Sequence, residues 1–131
     1  MILVTGASGR VGGRVAELLA ERDYDLRLMT RTPAAVSEPN LGTVVQADYA
    51  EPARLDAAFD GVSVAFLVSG YAEPGTRAQL HKNAIDAAAR AGVQHLVYLS
   101  FQGAASDSHF PMSRDHYQTE QFLEESGVAY T

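Results

Sequence analysis

Three glycines at a spacing of three, Gly6, Gly9 and Gly12, stand directly behind the apolar run Ile2-Leu3-Val4. Glycine costs backbone entropy, so this spacing belongs where the chain turns tightly or where something must touch the backbone closely. An apolar run precedes Thr5-Gly6-Ala7-Ser8-Gly9-Arg10-Val11-Gly12 and a helix-periodic stretch follows it, the context that gives such a pattern its meaning. The chemistry is anion binding. The turn redirects strand into helix, and the missing side chains let a pyrophosphate reach backbone N–H groups. The last glycine lets helix and strand pack closely, while the helix N-terminus adds free donors and a partial positive charge. On this reading Gly6, Ala7, Ser8, Gly9, Arg10, Val11 and Gly12 hold a dinucleotide.

The second apolar run decides which one. An acid at its end would select NAD by bonding the ribose 2′-hydroxyl. Here the run ends Met29-Thr30-Arg31, nineteen residues past Gly12, while Asp23 and Asp25 lie at its start. Arg31 instead suits a 2′-phosphate, with Arg10 as a helper from the loop, so NADP(H) is expected over NAD(H). Ligands of an open parallel sheet bind at its carboxyl edge, which adds residues after each later strand. Asp48 is placed for the adenine amino group, beside Tyr49. Val68, Ser69, Gly70 and Tyr71 line the ribose and nicotinamide end, and Ser100, Phe101 and Gln102 follow the fifth strand.

The elements that must position these residues alternate along the chain. Ile2–Val4, Leu26–Thr30, Thr43–Gln46, Val62–Val68 and His95–Ser100 read as buried strands. Val11, Val15, Leu18 and Leu19 recur at helical spacing. Pro52 opens a second helix with the stripe Leu55, Ala58 and Phe59, stopped at Gly61. Leu80, Ala84, Ala87, Ala88 and Ala91 form a third stripe, ended by Gly92. A last helix is expected after Ser113 as N-cap, running to Glu125 before Gly127. Repeated strand–helix units with near-continuous apolar strands predict an α/β Rossmann-like, doubly wound parallel sheet with helices on both faces. Its expected strand order is 3-2-1-4-5, with a sixth strand just begun at Val128–Thr131.

The 131 residues amount to one domain's worth, with 47% apolar and 20% charged residues. No 18-residue apolar run could span a membrane, the N-terminus has no signal-type pattern, and cysteine is absent. A cytoplasmic protein is the simplest expectation. A net charge of −6 without a basic block argues against nucleic acid as a partner, leaving a small molecule. His81, His95 and His109 lie on separate segments without metal-ligand spacing, so no metal site is expected. A homodimer is compatible with the fold class, but no exposed apolar stripe selects a face for it.

With the glycine loop, Arg31, "QADYAEPARLDAAFDGVSVAFLVSG", "HLVYLSFQGA" and "DHYQTEQFLEESGVAYT" in place, the chain resembles the atypical short-chain dehydrogenase/reductases. More narrowly it resembles their NmrA-like branch, which includes type 2 quinone oxidoreductases. The resemblance covers essentially the whole chain but only the family's N-terminal nucleotide-binding part. A smaller C-terminal lobe that closes over the substrate follows it in family members. The resemblance implies NADPH binding and, in the quinone-reducing members, hydride delivery to a quinone. Gly6 to Val11 match the phosphate loop, Arg31 the 2′-phosphate contact, and Ser69 to Tyr71 a segment near the nicotinamide or substrate.

The Tyr-x-x-x-Lys pair of ordinary short-chain dehydrogenases is missing. Counting back from Glu120 puts His116 at the lysine position and Met112, which does no acid–base work, at the tyrosine position. Tyr117 is one residue away, about 100° around the helix. Carbonyl reduction is therefore disfavoured, while a quinone takes hydride readily and its oxygens can be protonated by water or a modest donor. Ser100, His116 and Tyr117 are the candidate donors, His116 near its ordinary pKa. No residue is assigned as the catalytic acid; Tyr71, Phe101 and His116 are the expected substrate contacts. The leading expectation is an NADPH-dependent oxidoreductase with a quinone-like acceptor. The alternative is a non-catalytic NAD(P)-sensing regulator of NmrA type.

Overall fold

The computed structural model describes residues 1–73 and 75–131. Six strands form one parallel sheet: β1 (Ile2–Thr5), β2 (Leu26–Thr30), β3 (Thr43–Gln46), β4 (Val64–Leu67), β5 (His95–Tyr98) and β6 (Ala129–Tyr130). Their order across the sheet is β3-β2-β1-β4-β5-β6. This is the doubly wound arrangement that the alternating pattern implies, with a short sixth strand. The helices are α1 (Arg10–Ala20), α2 (Pro52–Phe59), α3 (Arg77–Arg90) and α4 (Pro111–Glu125). No helix among the described residues is long and apolar enough to cross a membrane.

Successive strand residues point to opposite faces, and the sheet has a core on each. Leu3 packs with Leu55, Phe59, Ile85 and Leu96 on the α2–α3–α4 side. Its neighbour Val4 packs with Ala16, Leu26 and Leu28 under α1. Phe59, Leu3, Leu55, Ile85 and Leu96 are fully buried, each contributing roughly 1.5–3 kcal/mol of transfer free energy. Between β2 and β3 the chain makes two single turns, Pro33–Ala35 and Pro39–Leu41. Each opens on a proline, and Val36 and Leu41 fold back onto the α1 face.

Three local expectations need correction. Ser113 is not the N-cap of α4: the helix begins at Pro111 after Phe110, because proline's fixed φ suits the first helical position. Ser113 lies inside the first turn, fully buried, where its hydroxyl donates to Gly103 O and accepts from Ala105 N–H. On α1, Val11 and Leu18 are exposed, and the buried positions are Gly12 and Ala16. The helix crosses β1 most closely at Gly12, where no side chain fits, while Val15 and Leu19 pack against the same core as expected. On α3 the buried face includes Ala78, His81, Ala84, Ile85 and Ala88, together with Arg77, whereas Leu80 is partly exposed.

Candidate functional site

A cleft of about 270 Å³ opens at the carboxyl edge of the sheet. Gly6, Ser8 and Gly9 wall it after β1, Met29 to Thr32 after β2, Ala47 to Tyr49 after β3, and Val68 to Tyr71 after β4, with Leu80 of α3 closing one side.

The loop after β1 is held by its backbone. Gly6 has φ +60°, Ala7 N–H donates to Met29 O, and Gly9 N–H donates to Gly6 O. Ser8 and Thr30 hydroxyls meet at 2.8 Å, fastening the loop to β2. Gly9 precedes α1 and supplies no side-chain cap. The N–H groups of Arg10, Val11 and Gly12 therefore start the helix without partners among the described residues. An uncapped helix start, with a Gly9 that has no Cβ to fill the approach, fits the pyrophosphate of a dinucleotide.

The floor is Tyr49, and its proton bookkeeping is complete. The tyrosine hydroxyl donates to Val68 O at 2.9 Å and accepts from the Thr5 hydroxyl at 2.6 Å. Thr5 in turn accepts Val68 N–H at 2.9 Å. Burial pushes the Tyr49 phenol well above its ordinary pKa, so it is no proton donor at neutral pH but a ring held by an internal triangle. Arg31 is exposed at the rim, its carbonyl fixed by the Gln46 amide at 3.1 Å. Asp48 lines the cleft but also bonds Ala50 N–H at 2.9 Å, turning the chain into α2. Tyr71 is 89% exposed at the opposite rim.

Behind Gly70 lies a buried polar cluster that apolar periodicity did not reveal. Arg77 Nε donates to Gly70 O at 2.8 Å and Nη2 to Ala72 O at 3.2 Å, while Nη1 pairs with the Asp115 carboxylate at 3.2 Å. Both side chains of that pair are at least nine-tenths buried. Gly70 N–H donates to His81 Nε2 at 2.8 Å. His81 Nε2 is therefore bare and Nδ1 carries the proton. That Nδ1–H lies 2.9 Å from the Thr119 hydroxyl, which donates to Asp115 O, and 3.2 Å from Tyr98 Oη. Tyr98 Oη stands 2.7 Å from His116 Nδ1. The sequence signal was there: Arg77 and His81, like Asp115 and Thr119, are four apart on the buried faces of α3 and α4.

The structure thus divides the residues chosen from sequence. Gly6, Ser8, Gly9, Arg31, Asp48, Tyr49, Val68, Ser69, Gly70 and Tyr71 share the cleft. Ala7 and Gly12 are buried beneath the loop, and Arg10 and Val11 face a separate hollow along α1. Ser100, Phe101 and His116 lie outside the cleft, beyond β5. The Ser100 hydroxyl donates to Glu120 at 2.5 Å, and Phe101 packs against Phe110 and His116. Met29, Thr30, Thr32 and Leu80 are cleft residues that strand-end reasoning passed over. His116 is not near its ordinary pKa: burial, then Arg77, lower it.

Burial, with His116 and Arg77 nearby, also pushes His81 down to about 3. The sign of the stability effect follows. Below pH 6.5 the unfolded chain protonates His81 and the native protein does not, so stability falls from pH 6.5 toward 3, by about 1.4 kcal/mol per pH unit for one proton. His116, also lowered, steepens the upper part of this window. Urea unfolding at stepped pH should show a shallower pH slope in His81→Gln than in wild type, since carboxylates titrate equally in both. Parallel slopes would mean that His81 is protonated in the native state.

A profile of the NAD(P)H-binding family matches residues 6–131. The chain belongs to that family. Among its NAD(P)H-binding relatives, quinone oxidoreductase 2 of Escherichia coli is 38% identical across the whole chain, which covers 46% of that protein. An NAD(P)H azoreductase of Xenophilus azovorans is 36% identical over 100% of the chain and 46% of its own length. The structure of an Escherichia coli NADPH-dependent quinone oxidoreductase complexed with NADPH superposes with a TM-score of 0.85 at 34% identity, covering 99% of this chain and 47% of that one. The chain therefore spans about half the length of the relatives it matches.

Proposed function

We propose that this NAD(P)H-binding protein takes NADP(H) in preference to NAD(H) and passes hydride from NADPH to a small quinone-like acceptor. The observation that carries the reading is the rim after β2. Thr30, Arg31 and Thr32 flank the cleft there, beside the Ser8–Gly9 loop, and no carboxylate stands at the position that would bond a ribose 2′-hydroxyl. The start of α1 would hold the pyrophosphate, Arg31 the 2′-phosphate, and Val68 to Tyr71 would border the nicotinamide end. Bound there, the dinucleotide supplies the hydride; the chain binds, orients and shields it. A quinone-like acceptor is supported by the names of the Escherichia coli relatives and by a site that needs no strong acid.

Titration of NADPH and NADH by bound nicotinamide fluorescence, with wild type and Arg31→Ala in parallel, tests the cofactor. A charge-assisted arginine–phosphate contact is worth roughly 1.5–3 kcal/mol, so the mutation should weaken NADPH binding about tenfold to a hundredfold and leave NADH unchanged. Equal affinities in wild type, or an unaffected variant, would overturn the preference. NADPH oxidation on adding benzoquinone or naphthoquinones tests the acceptor, and no turnover across the panel would overturn it.

A further inference from the structure

We infer that Arg77 and His81 of α3 are positioning residues for the nicotinamide half of the dinucleotide: they clamp the Gly70 backbone, while the adenosine half of the cleft is fastened without them. This rests on the cofactor reading above and names the residues that shape one end of that same site.

The sheet order creates the two halves. β2 and β3 lie on one side of β1 and β4 on the other, so the cleft straddles the point where the order reverses. On the first side the Gly6–Gly9 loop is held by its own backbone, by Met29 O and by the Ser8–Thr30 hydroxyl pair. On the other side Val68 to Tyr71 form the wall. There both polar atoms of the Gly70 backbone are taken by one face of α3. Its N–H donates to His81 Nε2 at 2.8 Å, and its carbonyl accepts from Arg77 Nε at 2.8 Å. Arg77 Nη2 also donates to Ala72 O at 3.2 Å, so one planar guanidinium spans the carbonyls on either side of Tyr71. Among the described residues the two sets of bonds share no member.

Arg77 and His81 stand four apart on α3, which points both side chains the same way. Asp115 of α4 holds the third arm of the guanidinium at 3.2 Å, so the fork stays aimed at the wall. His81 also meets the Tyr49 ring edge-on, with centroids 6.0 Å apart. A Cβ on Gly70 would come 3.4 Å from that ring. The clamp therefore sets how the wall stands on the floor. Apolar side chains of similar volume often stabilise a fold as well as a buried ion pair does. What the polar residues add here is a fixed direction for the backbone that borders the ligand. Without them the wall samples other shapes, and apparent affinity falls with the fraction of molecules still in the competent one.

Calorimetric titration of NADPH against adenosine 2′,5′-bisphosphate, the adenosine portion of NADPH alone, separates the halves. His81→Phe keeps a ring but leaves Gly70 N–H without its acceptor. Arg77→Lys keeps the charge beside Asp115 but loses the planar fork. Each should weaken NADPH about tenfold, the effect of leaving about a tenth of the molecules with a clamped wall, and leave the bisphosphate nearly unchanged. His81→Gln, whose amide oxygen can accept from Gly70 N–H, should bind NADPH nearly as wild type does. In the ligand-free protein the Gly70 amide should exchange faster in His81→Phe, with the Gly9 amide unchanged. If His81→Phe does not fold, Arg77→Lys decides. Equal losses for both ligands would mark a general loss of structure and overturn the inference. So would NADPH affinity untouched by the variants, or wild type that binds the bisphosphate as tightly as NADPH. Wild type that binds NADH as tightly as NADPH overturns the cofactor preference instead, and the same split, read with NADH against ADP, still decides the role of the clamp.

Discussion

A Gly12→Ala protein is expected to unfold about 8 °C below wild type and to lose most of its NADPH affinity. A Cβ at position 12 would lie 2.4 Å from Gly6 O, 2.7 Å from Gly6 C and 2.7 Å from Thr5 O. All three are backbone atoms of β1 and its loop, so no rotamer change relieves the overlap. Alanine recovers about 1 kcal/mol of helix propensity, but overpacking against fixed backbone costs about 3 kcal/mol. The clash wins by about 2 kcal/mol, which for a domain of this size is about 4 °C per kcal/mol. The same displacement pushes the start of α1 away from the cleft, so nucleotide affinity falls by more than the stability loss alone explains. Gly13→Ala, whose Cβ would come no nearer than 3.3 Å to Ala7 O, serves as the control and should bind nearly as wild type. A Gly12→Ala protein that melts and binds like wild type would show that helix and strand are further apart than described.

Asp115→Ala should be more damaging still to stability. It strips the carboxylate from a buried Arg77 and removes the acceptor for Gly75 N–H. Breaking one side of a buried pair costs about 3–5 kcal/mol, because the surviving charge is left without compensation. Arg77 keeps Gly70 O and Ala72 O, which holds the loss toward the lower figure. The double replacement Arg77→Met with Asp115→Leu removes the stranded charge and should unfold later than the single variant. Urea denaturation of the two proteins decides it. If the double variant is the less stable, the guanidinium's bonds to the loop carbonyls outweigh its desolvation. Amide exchange near Gly70 and Ala72 should quicken most in the double variant, since only there does the loop that walls the cleft lose the Arg77 bonds to its carbonyls.

Legibility from sequence was uneven, for physical reasons. The limits of β2 and β3 match their apolar runs, and the glycine loop sits where strand, spacing and helix agree. The face of α1 was half legible: Val15 and Leu19 pack on the core, but Val11 and Leu18 face outward, because the closest approach to the sheet is made by Gly12 and Ala16 and selects smallness rather than apolarity. Hydrophobic pattern likewise passed over Arg77, His81, Asp115 and His116, which are buried because partners meet them there: Arg77 and Asp115 each other, His81 the Gly70 N–H and Thr119, and His116 the Tyr98 hydroxyl. Ser113 looked like a cap because serine commonly is one; only the fold reveals that Gly103 and Ala105 use its hydroxyl. Phe101 and His116 sit one layer behind the cleft because Tyr98 and His81 stand between them and Gly70.

The closed triangle of Thr5, Tyr49 and Val68 bears on how the cleft is wetted. Each polar atom of that floor is already spoken for inside the protein, so water resting on the Tyr49 ring finds few partners there. A flat ring entering the cleft displaces loosely held solvent rather than competing for hydrogen bonds. Its association should carry a negative heat-capacity change and, at room temperature, be driven by enthalpy.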